Sequence, residues 1–238
     1  MRIEDILNTN KIIGVIGNSG SGKSSIISKI KNDKKVGIIN SNVIKCDNVK
    51  DQIEYYVREY NYRLKELQDR ENEIITMLEI EEEILDRSVY SISESELYKV
   101  MIASIMLCNP DNLVFDEVLF SLDYKTKIKI LKLLMKLKKF FNKTIIIICP
   151  NIDDIYEFID DIMIIDEGKI LLSGNKYEIY SDNYDLLKEK NIRIPTIVEF
   201  IKKMKDNGIN LDNVDNINEL IKTVYREMRW YFEIQNYI

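Results

Sequence analysis

Histidine is absent from the 238 residues of the sequence, so no step of any mechanism can use an imidazole. Proline occurs three times and tryptophan once, and no proline-rich or serine-rich tract interrupts the chain. Hydrophobic residues make up 45% and charged residues 31%, a balance typical of a globular domain rather than a disordered chain. The length suits one α/β domain with an appended segment.

Glycine is scarce and unevenly placed, because none of the eight glycines lies between Gly37 and Gly168. Glycine is the residue that permits left-handed backbone angles and close approach of the main chain to a ligand. Any phosphate-binding loop that depends on glycine must therefore lie before residue 38 or after residue 167.

Cysteines, long apolar runs and excess positive charge are also lacking. Cys46, Cys108 and Cys149 are odd in number and widely spaced, which favours reduced thiols over a disulfide framework or a zinc site. No apolar run approaches the ~20 residues of a membrane span, and residues 1–11 do not have the features of a secretory signal. The net charge of −6 predicts no bulk attraction to nucleic acid. We expect a cytoplasmic protein whose link to a membrane runs through a partner.

Short β-branched runs have the character of buried strands; they are residues 11–17, 35–39, 112–117, 144–149, 161–166 and 169–174. Helical periodicity lies between most of them, as at Ile128, Leu131, Leu134, Met135 and Leu137. This alternation predicts an α/β fold with a mainly parallel sheet wrapped by helices. The last two runs are separated only by EG, which predicts a hairpin at one edge.

Residues 49–87 differ, since apolar side chains recur there at spacings of three and four. The stripe comprises Ile53, Val57, Tyr60, Leu64, Leu67, Ile74, Leu78 and Leu85, and is interrupted by Glu71 and Glu81. It predicts an amphipathic helical layer packed on the same protein, with a coiled coil as the alternative.

The stretch GNSGSGKS at 17–24 fits the pattern G-x-x-x-x-G-K-[ST] between a predicted strand and the helical segment SSIISKIKN. Its glycines allow successive N–H groups to point at phosphates, while Lys23 supplies a cation and Ser24 a hydroxyl for Mg²⁺. The start of the helix adds its partial positive charge. The predicted contacts to a nucleotide are Gly17, Asn18, Ser19, Gly20, Ser21, Gly22, Lys23, Ser24 and Ser25.

Two acidic residues, Asp116 and Glu117, end the predicted strand NLVFDE. In P-loop enzymes an acid at such a strand tip holds Mg²⁺, a role that Asp116 fits. Glu117 is then placed to polarise an attacking water, as the catalytic residue.

Residues 92–123, ISESELYKVMIASIMLCNPDNLVFDEVLFSLD, resemble the signature helix, Walker B strand and D-loop of ATP-binding cassette (ABC) ATPases. Residues 144–174 resemble the family's next strand, switch region and edge hairpin. Residues 185–211 resemble the C-terminal extension of energy-coupling-factor ATPases, which drive vitamin and metal-ion uptake.

The resemblance implies a P-loop NTPase that binds ATP and Mg²⁺, with Ser93 and Asp123 at the seam of a dimer. It implies as partners a second ABC ATPase subunit, in a heterodimer by preference or a homodimer, and a transmembrane coupling subunit. It divides the chain into a nucleotide-binding core of residues 1–48 and 109–180, a helical subdomain of residues 49–108, and a helical extension of residues 181–238.

Departures from the family pattern are as informative as the matches. The family's L-S-G-G-Q contacts the γ-phosphate bound on a partner subunit, and only Ser93 of ISESE matches it. Glu94 replaces a glycine and brings negative charge to the place where an anion should dock, and such a juxtaposition costs several kcal/mol.

Other departures concern the switch and the nucleobase. Pro150 falls at the position of the switch histidine and has no side-chain donor, although Asn151 could offer an amide. Ser41 falls near the position of the Q-loop glutamine. Only 16 residues precede Gly17 and 12 separate Ser24 from Gly37. The resemblance therefore implies that the antiparallel sheet and the aromatic on which adenine stacks in the family are largely deleted.

These observations leave several functions open. The favoured one is an ATP-binding subunit of an energy-coupling-factor-like transporter with slow hydrolysis. The alternative is a pseudo-ATPase, in which bound nucleotide stabilises a conformation without turnover. A chromosome-maintenance ATPase with coiled-coil arms and a small-molecule kinase fit the pattern less well.

Overall fold

The computed structural model describes residues 3–30, 33, 35–59, 67–120, 122–211 and 213–235, without the side chains of residues 26, 27 and 228–235. Its strands are β1 (Ile12–Ile16), β2 (Val36–Ile39), β3 (Asn112–Asp116), β4 (Thr144–Ile148), β5 (Asp161–Asp166) and β6 (Lys169–Asn175). They form a sheet in the order β2-β3-β4-β1-β5-β6. Strand β6 runs antiparallel to β5, and the other neighbours are parallel. The prediction of a mainly parallel sheet with an edge hairpin is confirmed.

The helices are α1 (Lys23–Ser28), α2 (Val49–Glu59), α3 (Leu67–Met77), α4 (Glu94–Met106), α5 (Tyr124–Phe141), α6 (Lys176–Asp182), α7 (Tyr184–Glu189), α8 (Thr196–Asp206) and α9 (Ile217–Gln235). Short 3₁₀ turns cover Ile3–Ile6, Glu82–Ile84, Val118–Phe120 and Ile152–Asp154. Helix α1 ends earlier than the segment SSIISKIKN predicts, at Ser28.

The carboxyl ends of the parallel strands meet at one edge of the sheet. Strand β1 is central there, with β4 on one side and β5 on the other, and β3 follows beyond β4. Loops that leave this edge are the usual ligand-binding loops of an open α/β sheet. The loop after β1 and the acids at the end of β3 both lie at this edge.

The two faces of the sheet are covered very differently. Ile12 and Ile16 belong to the large core that also contains residues of α2, α4 and α5. Ile13 and Val15 point the other way, into a small core covered by residues of the 3₁₀ turn Ile3–Ile6 and by Ile30. The short N-terminal segment thus supplies a thin cover for one face.

The stripe of residues 53–85 packs on the domain but is not one helix. Ile53, Val57 and Ile74 are buried in the same core as the sheet. The helical path ends after Met77, and Glu79 has a left-handed φ of 54°. Its members Tyr60 and Leu64 lie outside the described residues. In the part described, the stripe is a layer packed on the domain and not a coiled-coil arm.

Helix α5 covers the sheet with a face that differs from the predicted one at Ile130, Leu133 and Met135. Met135 was expected among the buried residues and is 46% exposed, whereas Ile130 and Leu133 are buried. Lys127 is 8% exposed, because its Nζ pairs with Asp154 Oδ2 at 2.8 Å.

The C-terminal segment, from α7 (Tyr184–Glu189) onward, is connected to the rest of the domain by a buried lysine of α6. Lys176 is 3% exposed, and its Nζ donates to the Tyr156 carbonyl at 2.9 Å and pairs with Asp215 Oδ1 at 2.5 Å. Leu187 and Ile192 add buried apolar contacts. Among the residues described, no helix is both long and apolar enough to traverse a lipid bilayer.

Candidate functional site

The loop of residues 17–24 wraps around the side chain of Lys23. This side chain is 8% exposed, and its Nζ donates to the carbonyl oxygens of Gly17 at 2.9 Å and Asn18 at 3.1 Å. A turn closed by the Ser21 N–H on the Asn18 carbonyl, at 3.0 Å, shapes the middle of the loop. The cation is thus held within the loop by main-chain oxygens, which a phosphate could replace as its partner.

Gly17, Gly20 and Gly22 are each required in the loop for a different physical reason. A Cβ on Gly17 would lie 2.2 Å from the Ile165 carbonyl oxygen, so the β1–β5 contact excludes a side chain there. Gly20 has a φ of +76° with open space around it, and Gly22 has a φ of +92° and would meet Gly168 Cα at 2.9 Å. The loop therefore needs glycine at 17 because of a close contact with β5, at 20 because of its backbone angle, and at 22 because of its backbone angle and a close contact with the turn after β5.

One buried polar atom of the loop fits a bound ligand. Ser21 is 6% exposed, and within the described part of the chain its Oγ has no hydrogen-bond partner. Buried hydroxyls normally have a partner, so this oxygen is available to an additional group at the loop.

A cleft of about 570 Å³ adjoins the loop and brings both predicted acids to it. Ser24 at the start of α1 lines this cleft together with Asp116 and Glu117. The pKa of Asp116 is raised, first by burial and then by the charge of Glu117. Glu117 is exposed and has a left-handed φ of 58°. Hydroxyl and carboxylate oxygens are the ligands that Mg²⁺ prefers.

A third acid, Glu94, lines the same cleft. It lies in the first turn of α4, which is held beside the tip of β3 because the Tyr98 hydroxyl donates to the Val118 carbonyl. No local pattern places Glu94 beside the acids of its own chain, since 21 residues lie between it and Asp116. The cleft therefore carries three carboxylates.

The part of the cleft wall formed by residues 40–44 is organised by a glutamine that sequence reasoning missed. Ser41, in the segment after β2, lines the cleft. Gln52 is fully buried, its Oε1 accepts from the N–H groups of Lys45 and Cys46 at 2.6 and 3.0 Å, and its Nε2 donates to the Val43 carbonyl at 3.1 Å. A glutamine on the apolar face of α2 was the available signal.

Ser93 caps its own helix. Its Oγ accepts from the Glu96 N–H at 3.3 Å, and the Glu96 carboxylate accepts from the Ser93 N–H at 2.7 Å and from the Ser93 hydroxyl at 2.6 Å. This is a capping box, and the spacing S-x-x-E before an apolar run was its unrecognised signal. These bonds lower the pKa of Glu96. Two residues of ISESE thus have a structural role.

At the switch position, the turn that follows Asn151 engages part of its side-chain amide. Pro150 is exposed. The Asn151 Oδ1 accepts from the Asp153 N–H at 3.3 Å, and its Nδ2 donates to Asp154 Oδ1 at 3.4 Å. These bonds use the amide oxygen and one of the two N–H groups of the amide, so they do not test the prediction that Asn151 offers a donor to a nucleotide.

Asp123 begins α5 as its N-cap. Its Oδ1 accepts from the N–H groups of Lys125 and Thr126 at 2.9 and 3.1 Å. A side-chain hydrogen bond with Thr126 and these main-chain bonds lower the pKa of its carboxyl group. It is exposed, as the predicted place at a dimer seam requires. Ser121, which precedes it in the D-loop-like run, lies outside the described residues.

The loop, the strand-tip acids and the sheet order define a class of protein. Residues 2–119 match the family model described as ABC transporter. The fold is similar to that of cbiO1 from Clostridium perfringens, described as part of the ABC transporter complex cbiONQ, with a TM-score of 0.66 and 20% identity over 81% of this chain and 88% of that one. It is also similar to the ATP-binding cassette MJ0796 in a dimeric post-hydrolysis state bound to ADP and Pi, with a TM-score of 0.58 and 23% identity over 71% and 87% of the two chains. The chain has the fold of these ATP-binding cassettes, and its residues 2–119 match the ABC transporter family model.

Within this class the sequence is similar to the energy-coupling-factor ATP-binding proteins. It is 26% identical to the energy-coupling factor transporter ATP-binding protein EcfA3 of Oenococcus oeni, over 93% of this chain and 86% of that protein. The similarity extends through the C-terminal segment, so the resemblance drawn from residues 92–211 is confirmed.

Proposed function

We propose that this chain is the ATP-binding subunit of an energy-coupling-factor-like ABC transporter. The observation that carries the proposal is the meeting of three parts at one edge of the sheet: the loop around Lys23, the Ser24 hydroxyl, and the acids Asp116 and Glu117. Lys23 and the loop N–H groups bind the phosphates of ATP, and Ser24 and Asp116 hold Mg²⁺.

The charge of the cleft makes the metal a requirement for nucleotide binding. Glu94, Asp116 and Glu117 line it together, so a triphosphate entering without a cation would face three carboxylates. Mg²⁺ offsets this repulsion, because a bound cation is the largest local charge in such a site. We therefore expect ATP to bind far more weakly when Mg²⁺ is chelated.

Glu117 is the residue proposed to polarise water for hydrolysis. Its exposed carboxylate at the strand tip supports this role. Hydrolysis is slow, since no histidine exists in the chain and the Asn151 amide has no proton-accepting ring nitrogen with which to replace it. The output of the reaction is closure and reopening of an ATPase dimer.

The proposed partners are a second ABC ATPase and a transmembrane coupling subunit. Ser93 and Asp123 lie at exposed helix N-termini, where they would form part of the dimer seam. The Glu94 side chain is exposed as well as lining the cleft, so in a dimer it would also present a carboxylate to the partner's nucleotide and weaken the site that this chain completes on its partner. A heterodimer with an ATPase of intact signature is therefore favoured over a homodimer.

The test is calorimetric titration of the purified chain with ATP, with Mg²⁺ and with a chelator, comparing Lys23→Met with Lys29→Met. Lys29 is an exposed lysine of the segment that follows α1, so its variant controls for loss of one charge. We expect Mg²⁺-dependent binding in the wild type and in Lys29→Met, and its loss in Lys23→Met. Failure of the folded wild type to bind ATP under any condition would refute the proposal.

A second candidate function is a nucleotide-gated interaction module without turnover, and the absence of histidine from the chain favours it. Glu117→Gln separates the two functions in an ATPase assay of the chain with its partner ATPase. A measurable rate that disappears in the variant supports the enzyme. A rate at background in both proteins, with ATP binding intact, supports the module.

A further inference from the structure

The phosphate loop contacts the C-terminal segment on the side away from the acids. The Asn18 Nδ2 donates to the main-chain carbonyl of Lys190 at 3.3 Å. Lys190 follows α7 directly, and its own Nζ pairs with Asp166 Oδ2 at 2.7 Å. The second residue of the phosphate loop is therefore bonded to a residue 172 positions later in the chain.

Asp166 belongs to the same junction because it ends β5 beside the loop. The turn after β5 also touches the loop directly, since the Gly168 N–H donates to the Ser21 carbonyl at 2.7 Å. The loop thus rests on two supports: the hairpin turn, which is part of the sheet, and the end of α7, which is part of the C-terminal segment.

The end of α7 is held in place by contacts within the C-terminal segment and the core. The Ile192 N–H donates to the Leu187 carbonyl at 2.9 Å, with Asn191 in the left-handed conformation at a φ of 52°. Leu187 and Ile192 are both buried. The Lys190 carbonyl therefore has a defined position, so it can fix the position of the Asn18 side chain.

Asn18 also bears on the charge that binds phosphate. Its main-chain oxygen accepts from Lys23 Nζ at 3.1 Å and from the Ser21 N–H at 3.0 Å. A shift of Asn18 changes the environment of Lys23 and of the loop turn together.

We propose that Lys190 is a positioning residue for the phosphate loop: its ion pair with Asp166 and its carbonyl bond to Asn18 make nucleotide affinity dependent on the seating of the C-terminal segment. This inference rests on the proposed function. It makes the segment from α7 onward a regulator of nucleotide binding and not only an appendage, because any partner that displaces α7 loosens the loop.

The experiment measures MgATP affinity and dissociation rate for Lys190→Met, Lys190→Arg and the matched control Lys188→Met. Lys188 lies in α7, two positions before Lys190, and pairs with Glu199 instead of Asp166. We expect Lys190→Met to bind MgATP roughly two- to tenfold more weakly, the range for loss of one hydrogen bond. Lys190→Arg, which can keep the pair, and Lys188→Met retain wild-type affinity.

A double variant distinguishes positioning from a general structural role. If Asn18 and Lys190 act through the same contact, the double variant of Asn18→Ala and Lys190→Met binds MgATP no more weakly than whichever single variant has the lower affinity. The Lys190–Asp166 pair is partly exposed, so the urea midpoint of the ligand-free protein changes little in all variants.

Three outcomes would count against the inference. Wild-type affinity in Lys190→Met overturns it, as do losses that multiply independently in the double variant. A Lys190→Met protein that loses affinity only in proportion to a lowered urea midpoint also overturns it. A wild type that binds no nucleotide overturns the proposed function itself.

Discussion

Gly17→Ala is expected to damage the protein even before any nucleotide is added. The new Cβ would lie 2.2 Å from the Ile165 carbonyl oxygen and 2.5 Å from Ser21 Oγ. Ile165 is fully buried in β5, which pairs directly with β1, so neither strand end can move aside cheaply. Overpacking of this kind costs about 1–3 kcal/mol, and a clash with main-chain atoms favours the upper end.

Two other glycines provide matched controls for backbone conformation. Gly20 has a φ of +76° and Gly208 a φ of +83°, and a Cβ at either position meets no atom within 4 Å. Alanine at each site therefore carries the conformational cost alone, about 1–2 kcal/mol. Gly208 follows α8, far along the chain from the phosphate loop, so its variant reports stability without a change in the loop.

The assay is urea unfolding of the ligand-free variants followed by titration with MgATP. A loss of about 3 kcal/mol lowers the urea midpoint by roughly 1 M or more, given typical slopes of about 1–3 kcal/mol/M. We expect the urea midpoint of Gly17→Ala to lie below that of Gly20→Ala, and the midpoint of Gly208→Ala to lie close to that of Gly20→Ala. MgATP binding should weaken only in the two loop variants, Gly17→Ala and Gly20→Ala. A Gly17→Ala protein that unfolds at the same urea concentration as Gly208→Ala would refute the close-contact argument.

Three further outcomes follow from individual residues. Lys127→Met should destabilise the protein by about 1–3 kcal/mol, because it leaves the Asp154 carboxylate without its ion pair. The loss is smaller than for a fully buried pair, since the Asp154 side chain is 29% exposed. In urea unfolding, a double variant with Asp154→Asn should recover part of the loss. The raised pKa of Asp116 means that the folded protein binds a proton there more tightly than the unfolded chain, so stability is lost as pH rises through the folded pKa. Asp116→Asn should accordingly stabilise the ligand-free protein at pH 7, with no gain below about pH 4, and equal stability of the two proteins at pH 7 would contradict this sign. Ser93→Ala should cost about 0.5–2 kcal/mol through loss of the helix cap, whereas an unchanged midpoint would show that the capping box contributes nothing to folding.

Local sequence was sufficient to predict the strands, the edge hairpin and the phosphate loop. Each depends on neighbours in the chain: β-branched runs form strands, and glycines spaced within eight residues allow the loop. The pairing of that loop with Asp116 was also predictable, because the carboxyl ends of parallel strands meet at one edge. Resemblance to ABC ATPases added the order of the remaining segments.

Contacts between distant segments could be found only in the folded chain. Spacing does not report that Glu94 enters the cleft of Asp116 and Glu117, since the hydroxyl of Tyr98 brings its helix there. Nor does it report that Lys190 supports Asn18, a bond across 172 positions. Periodicity shows which face of a helix is apolar, but neighbours in space decide whether an individual side chain is buried, as Lys127 and Met135 demonstrate. Local patterns specify helices and strands because the interactions that form them are made between neighbours in the chain. The charge of a site and the contacts that hold it arise from packing between distant segments, which no single stretch of sequence specifies.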